Sequence, residues 1–262
     1  MNEFNFIPNK AHVQSVERAL ILLDFLAFEN REISVTEIAK ALGWPKTTVH
    51  GLITTLRDKR FVDQTPQTGR YRLGLRLFEL GNIVVRNMNI RDIAKPVMFE
   101  LKKPGEAVHL AMESNGEALV LEKYGSISLM RMLSDVGTLL PMHCTAVGKV
   151  LLAYKEPYEV KGIVAKHGLK AMTQYTITDY EVLSNELNSI RRQGYAVDNN
   201  ELIEGLRCVA APIFDRHENV MYSISISGLS NRLHSSHFDT TRDLLISKTE
   251  NISYQMGYRN NE

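Results

Sequence analysis

The sequence predicts an α+β chain in two parts: a helical head ending in a hairpin, then a larger antiparallel sheet flanked by helices. Three observations carry this. Between residues 14 and 57, apolar residues recur at helical spacing in three runs separated by turn residues. Two short apolar runs then bracket Thr65-Pro-Gln-Thr-Gly69, a turn-rich spacer. From Ile90 onward, strand-like runs alternate with helical ones.

The first helix, Gln14 to Phe28, carries Val16, Ala19, Leu20, Leu22, Leu23, Leu26 and Ala27 at helical spacing. Ser34 opens the second, with Glu37 three residues on as a capping box. Ile38, Ala39 and Leu42 form its apolar face, and Gly43 stops it. Trp44-Pro45 makes a corner, with proline tolerated at a first helical position because its missing N–H has no partner there. In the third helix, Lys46 to Arg57, Val49, Leu52, Ile53 and Leu56 share one stripe. The opposite face, Lys46, Thr47, Thr48, His50, Gly51, Thr54 and Thr55, is polar and without acid, as a helix entering a phosphate-lined groove requires. Phe61-Val62 and Tyr71-Arg-Leu73 then form a two-stranded wing with Arg70 near its tip. Three helices and a hairpin make a winged helix-turn-helix whose third helix reads the major groove of DNA. The plainer alternative is a helical cap or a protein-interaction module on the same fold. The acid-free helix and basic wing favour DNA, with Lys46, Thr47, Thr48, His50 and Arg70 as candidate contacts. His50 by itself is weak evidence.

Leu75 to Met88 is apolar enough for a helix buried against something, with Leu77, Leu80 and Val84 on one stripe. The organisation expected is a DNA-binding domain over 12–74, a linker helix over 75–89 and a second domain over 90–260. In that second domain, Val108 to Met112 and Leu119 to Lys123 bracket Ser114-Asn-Gly116 as a hairpin. Helices are expected over Thr145 to Tyr154, Tyr158 to Lys166, Tyr180 to Gln193 and Asp239 to Met256, and strands over Val209 to Phe214 and Val220 to Gly228. Ser223, Ser225 and Ser227 alternate with Ile224 and Ile226, giving the last strand a hydroxyl face and an apolar face. The hydroxyls then look into a polar cavity or into water. Thr145-Ala-Val-Gly148 opens a helix with small residues, so a carboxylate can approach its N–H groups. Asp198 can accept from a ligand hydroxyl but repels a carboxylate beside it.

Composition narrows the classes. The chain has 262 residues, 44% hydrophobic and 23% charged, with no run of eighteen apolar residues and no basic-plus-apolar start. Neither a membrane span nor a secretion signal is expected, and the default location is cytoplasmic. Lys10 to Arg76 holds eleven Lys and Arg against seven Asp and Glu, an excess of four in a chain of net charge +1. That suits contact with phosphate at one end but is within ordinary surface charge. Cys144 and Cys208 form no CxxC pair, which argues against a disulfide scaffold or a zinc ribbon.

Ser15-Val-Glu-Arg-Ala-Leu20, Glu37-Ile-Ala-Lys-Ala-Leu-Gly43, Pro45-Lys-Thr-Thr-Val-His50 and Tyr71-Arg-Leu-Gly74 resemble the IclR-family DNA-binding domain in order and spacing. Pro141 to Lys149, Gly194-Tyr-Ala-Val-Asp198, Glu204 to Pro212 and Ser223 to Ser227 are similar to that family's effector-binding domain, a GAF-like fold. The chain departs from the family in having Gly51 where arginine usually follows the histidine, and in a shortened Leu101-Lys-Lys-Pro-Gly105. Val150-Leu-Leu-Ala153, Asp198-Asn199, Glu204 to Cys208 and Gln255-Met-Gly-Tyr258 look most like the subgroup that regulates ketodeoxygluconate and pectin breakdown.

The resemblance implies a transcriptional repressor, with the helix from Leu75 joining the domains and helping form a homodimer or tetramer. It also implies an effector pocket at Leu129, Leu140, Ala146, Val147, Asp198, Leu206, Cys208, Ser225 and Ser227. Core packing is the plain alternative for the leucines, and a small buried apolar role is the alternative for Cys208. The expected partners are an operator in double-stranded DNA and a small oxo- or hydroxy-carboxylate, extending to keto sugar acids. No cofactor and no membrane partner are expected.

Two other classes compete. An enzyme would use Cys144 as nucleophile with His143 or His109 as base. No oxyanion or acid-base constellation accompanies them, and neighbours on a strand point to opposite faces. A metal sensor would gather His143 or Cys144 with Asp198 and Cys208, although their spacing is diffuse.

Overall fold

The computed structural model describes residues 13–86, 89–103, 106–125, 135–233 and 235–259. It divides into two units, Met1–Met88 and Asn89–Glu262.

The first unit holds α1 (Gln14–Glu29), α2 (Val35–Leu42), α3 (Lys46–Asp58), a hairpin of β1 (Val62–Gln64) and β2 (Tyr71–Leu73), and α4 (Leu75–Arg86). Ser34 caps α2 reciprocally with Glu37, and Gly43 ends it in the left-handed conformation, φ 66°. Pro45 is the residue before α3 rather than its first helical residue. Leu22, Phe25, Leu26, Ile38, Val49, Ile53, Leu56, Val62 and Tyr71 pack into one core. A bridge between Ile33 and Tyr71 adds a third extended segment to the wing. Gly74 is obligatory, because a Cβ there would stand 2.3 Å from the Arg60 carbonyl oxygen. Glu79 bonds Arg60 and Arg76, both at 2.8 Å, fastening α4 to the base of the wing. Leu77 and Leu80 are half-buried, but Leu75, Phe78 and Ile83 are exposed, Phe78 by 70%.

The second unit runs α5 (Asn89–Leu101), β3 (Glu106–Ser114), β4 (Glu117–Gly125), β5 (Leu139–Pro141), α6 (Ala146–Ala153), α7 (Pro157–His167), α8 (Tyr180–Gln193), β6 (Ala196–Asn199), β7 (Leu206–Phe214), β8 (Val220–Leu229) and α9 (Ser235–Gln255). Its strands form one antiparallel sheet in the order β5-β4-β3-β8-β7-β6. The β3–β4 turn puts Asn115 and Gly116 at φ 56° and 91°, the left-handed pair a two-residue hairpin needs. The short edge strands β5 and β6 were not expected from the sequence.

Strand alternation sorts the sheet's two faces. Ala107, Ala111, Ala118, Val120, Leu206, Cys208 and Ala210 face the core shared with α6 and α8, including Val147, Leu151, Leu183 and Ile190. Val108, Leu110, Val209, Ala211, Ile224 and Ile226 are buried on the opposite face, where α5 and α9 pack. Ser223, Ser225 and Ser227 have the parity of the α6 side, and all three are buried.

Candidate functional site

Two surfaces carry candidate function, one in each unit. In the first, α3 turns Val49, Ile53 and Leu56 into the core. That leaves Lys46, Thr47, His50, Gly51 and Thr55 exposed, with Thr48 and Thr54 half-exposed. Thr55 is less available than its position suggests, because its hydroxyl donates to the Gly51 carbonyl at 2.9 Å. Among the candidates, Arg70 is displaced from its expected place. The loop tip is Pro66 to Thr68, and Arg70 instead lies 3.0 Å from the Glu37 carboxylate and donates to the Glu32 carbonyl. Glu32 also accepts from Thr65 and Thr68 and faces Arg72 at 3.6 Å. Two acids of the α1–α2 region therefore anchor the wing. The Ser34 hydroxyl and amide beside Glu37 hold its carboxyl down at about 2, so the anchor stays charged at ordinary pH. A groove beside the wing is lined by Arg57, Asp63, Gln64, Thr65, Pro66, Gly69 and Arg72. Arg57 and Arg72 are cations that sequence reading did not single out.

In the second unit, a small cavity of about 20 Å³ lies between α6 and the sheet. That is room for one or two waters. Leu140, Ala146, Val147, Asp198, Cys208, Ser225 and Ser227 line it, together with His109, Thr145 and Leu202, which sequence reading did not assign to a pocket. Leu206 is fully buried in the adjoining core and is not among the lining residues. Leu129 falls outside the described residues.

Register explains the grouping. Asp198 pairs with Cys208, Cys208 with Ser227 and Ser227 with Ala107, so these four form one row across the sheet. His109, Ser225 and Ala210 form the next row on the same face. Above them, Thr145 caps α6 by accepting from the Gly148 N–H at 3.2 Å. The small residues do not all serve a ligand as expected. A Cβ on Gly148 would stand 2.3 Å from Met142 Cα, so this glycine exists for backbone packing. What remains for a ligand is the pair of first-turn N–H groups, those of Ala146 and Val147, which have no backbone partner among the described residues.

The charges here are buried and compensated. Lys149 is 1% exposed, with its Nζ 2.6 Å from Glu201 and 3.1 Å from Glu186. Lys149 is not among the lining residues, and its charge is already met. Asp198 is 1% exposed and accepts from the backbone N–H groups of Glu201 (2.8 Å) and Leu202 (3.4 Å). Burial outweighs those bonds and pushes its carboxyl up to about 7, with the neighbouring Glu201 charge acting in the same direction. Asp198 thus exchanges a proton near neutrality, and its protonated form does not repel an anion.

The competing chemistries find no support in this geometry. His143 and Cys144 lie in the bend between β5 and α6, not on a strand as expected. His143 Nε2 is 3.0 Å from the Lys170 carbonyl oxygen. Burial, then the Asp198 charge, pushes the Cys144 thiol up to about 12, far from a reactive thiolate. Cys208 is raised for the same reasons. Among the described residues, no three His, Cys, Asp or Glu side chains stand together as a metal-holding group, and the His143, Cys144, Asp198, Cys208 grouping is not assembled.

Known proteins place both units in one family. The model for the IclR helix-turn-helix domain matches residues 15–66, and that for the bacterial transcriptional regulator IclR C-terminal domain matches 82–254. The chain is 36% identical to the HTH-type transcriptional regulator KdgR of Escherichia coli K12 over 94% of each protein. It is 35% identical to the transcriptional repressor IclR of that organism, over 86% of this chain and 84% of the repressor. The crystal structure of the Thermotoga maritima IclR superposes with a TM-score of 0.75 at 34% identity, covering 94% of this chain and all of that one. The relatives are regulators and not enzymes. The chain belongs to the IclR family of bacterial transcriptional regulators, with KdgR among its relatives.

Proposed function

We infer that this protein is a repressor, acting in the cytoplasm, whose hold on its operator is controlled by a small oxo- or hydroxy-carboxylate seated between α6 and the β6–β8 face. The observation that carries this reading is the convergence of unlike polar groups on one small cavity. Ala146 and Val147 offer helix N-terminal N–H groups, while Ser225, Ser227 and Asp198 offer hydroxyls and a protonatable carboxyl. Such a set suits one carboxylate with an adjacent oxygen function. A polyphosphate would need several uncompensated cations, and Lys149 is already paired. The cavity as it stands holds a water or two, so a two- or three-carbon acid needs α6 to move slightly from the sheet, and a six-carbon keto sugar acid needs a larger opening. On the DNA side, Lys46, Thr47, Thr48 and His50 serve as groove contacts. Arg70 reaches phosphate only by leaving Glu37.

Two protomers paired through the exposed Leu75, Phe78 and Ile83 of α4 would present two recognition helices to a palindromic site. The effector site is tested by calorimetry of the full chain with small oxo- and hydroxy-acids. Ser225→Ala should weaken binding by about 1 kcal/mol if its hydroxyl makes a neutral hydrogen bond to the ligand. Wild-type affinity in that variant would remove the hydroxyl face from the site.

A further inference from the structure

We propose that His109 is a specificity-determining residue of this cavity, selecting acids that carry a second oxygen at the end remote from the carboxylate. This rests on the effector reading above. His109 stands on β3, is 2% exposed and lines the cavity, and its Nε2 has no hydrogen-bond partner among the described residues. A buried ring nitrogen without a partner is costly, and the cost disappears when a ligand supplies one.

The sheet fixes which polar groups that partner lies beside. His109 is opposite Ser225, one strand away, whereas Asp198 lies on β6, beyond both β8 and β7. The side chains of His109, Ser225, Ser227 and Asp198 nonetheless line one small cavity beneath the first turn of α6, so they converge on a single occupant. With its carboxylate at the Ala146 and Val147 N–H groups, such an acid turns its other end to β3 and β8, where His109 Nε2 stands beside Ser225.

The kind of oxygen follows from the charge on the ring. Burial, reinforced by the Lys123 cation, depresses His109 to about 4, so the ring is neutral at physiological pH. A neutral imidazole nitrogen can donate to a carbonyl or exchange a hydrogen bond with a hydroxyl, but it gives a second buried carboxylate no counter-charge, which favours the uncharged oxygen. A site with a buried group waiting for such an oxygen rejects the analogue that lacks it.

The test is calorimetry on the full chain with two matched pairs, glycerate against lactate and gluconate against 2-hydroxyhexanoate. In each pair the first acid carries oxygen at its far end and the second ends in alkyl. Wild type should prefer the oxygen-ended acid of at least one pair by about tenfold. His109→Leu should reduce that ratio to about one, and His109→Gln, which restores a donor and an acceptor, should keep part of it. If His109→Leu lacks a cooperative unfolding transition, His109→Phe carries the same expectation. Ser225→Ala should weaken both members of a pair alike. A ratio unmoved in His109→Leu, as when only a water meets Nε2, overturns the proposal while leaving the site in place if Ser225→Ala has weakened binding. If Ser225→Ala is also without effect, the effector reading itself falls. Absence of binding by all four acids, or of any preference in wild type, also overturns it.

Discussion

Asp198→Asn isolates the energetic cost of keeping an ionisable group under α6. The asparagine is nearly isosteric, and its Oδ1 can still accept from the Glu201 and Leu202 N–H groups. In the folded chain the Asp198 carboxyl titrates at about 7 against an ordinary 3.8, because burial and then Glu201 oppose its charge. Lys149 acts the other way, Cys144 and Cys208 stay protonated, and His109, held at about 4, is neutral over most of this range.

The folded state thus binds the proton more tightly than the unfolded one. Its stability is greatest below the unfolded value, falls as pH rises from about 4 to 7, and is flat above that. The full span corresponds to ~4 kcal/mol, of which roughly 2–3 kcal/mol falls between pH 5 and pH 8. Urea unfolding followed by far-ultraviolet circular dichroism should show Asp198→Asn gaining on wild type by that amount between the two pH values. Trp44, the single tryptophan, sits in the other unit and serves as a fluorescence control. An equal difference at pH 5 and pH 8 would refute an ionised, desolvated Asp198 in the wild-type fold.

The same proton should act on the ligand: lowering the pH from 8 to 6 should tighten binding of a small oxo-acid in wild type, and calorimetry should find that dependence flattened in Asp198→Asn. Gly148→Ala forces a methyl against the Met142 backbone and should cost about 1–3 kcal/mol, read as a lower thermal midpoint with weaker effector binding. Arg70→Ala should weaken binding to all DNA sequences and lower the salt slope by about one, whereas Thr48→Ala or His50→Ala should change sequence preference; a salt slope unmoved by Arg70→Ala would assign the wing's phosphate contact elsewhere. Sedimentation should find an even-numbered oligomer that Phe78→Asp dissociates, and a wild-type monomer would remove the α4 pairing.

Local chemistry made the first unit legible almost residue by residue. The Ser34–Glu37 box, the Gly43 stop and the α3 stripe are short-range signals, and each stands where the pattern put it. The hydroxyl face of β8 was legible by strand parity. What parity could not supply was register. His109 shares a face with Ser225 only because β3 pairs with β8, a contact between segments over a hundred residues apart. Thr145 could have been found, since a threonine directly before Ala-Val-Gly is a helix cap. The burial of Lys149 could not, because it depends on Glu186 and Glu201 arriving from α8 and the loop after β6. Arg70 shows the same limit: its spacing put it near the wing tip but could not show that Glu37, distant in sequence, pairs with it.

One small acid in the α6 cavity is expected to change the protein's hold on its operator. Fluorescence anisotropy of labelled operator DNA, titrated with the full chain, measures this directly when repeated with a saturating two- or three-carbon 2-oxo acid. Release of DNA from wild type, with a matching loss of that response in Ser225→Ala at the same acid concentration, is the predicted result. Operator affinity that is indifferent to every such acid, or released equally from wild type and Ser225→Ala, would contradict it.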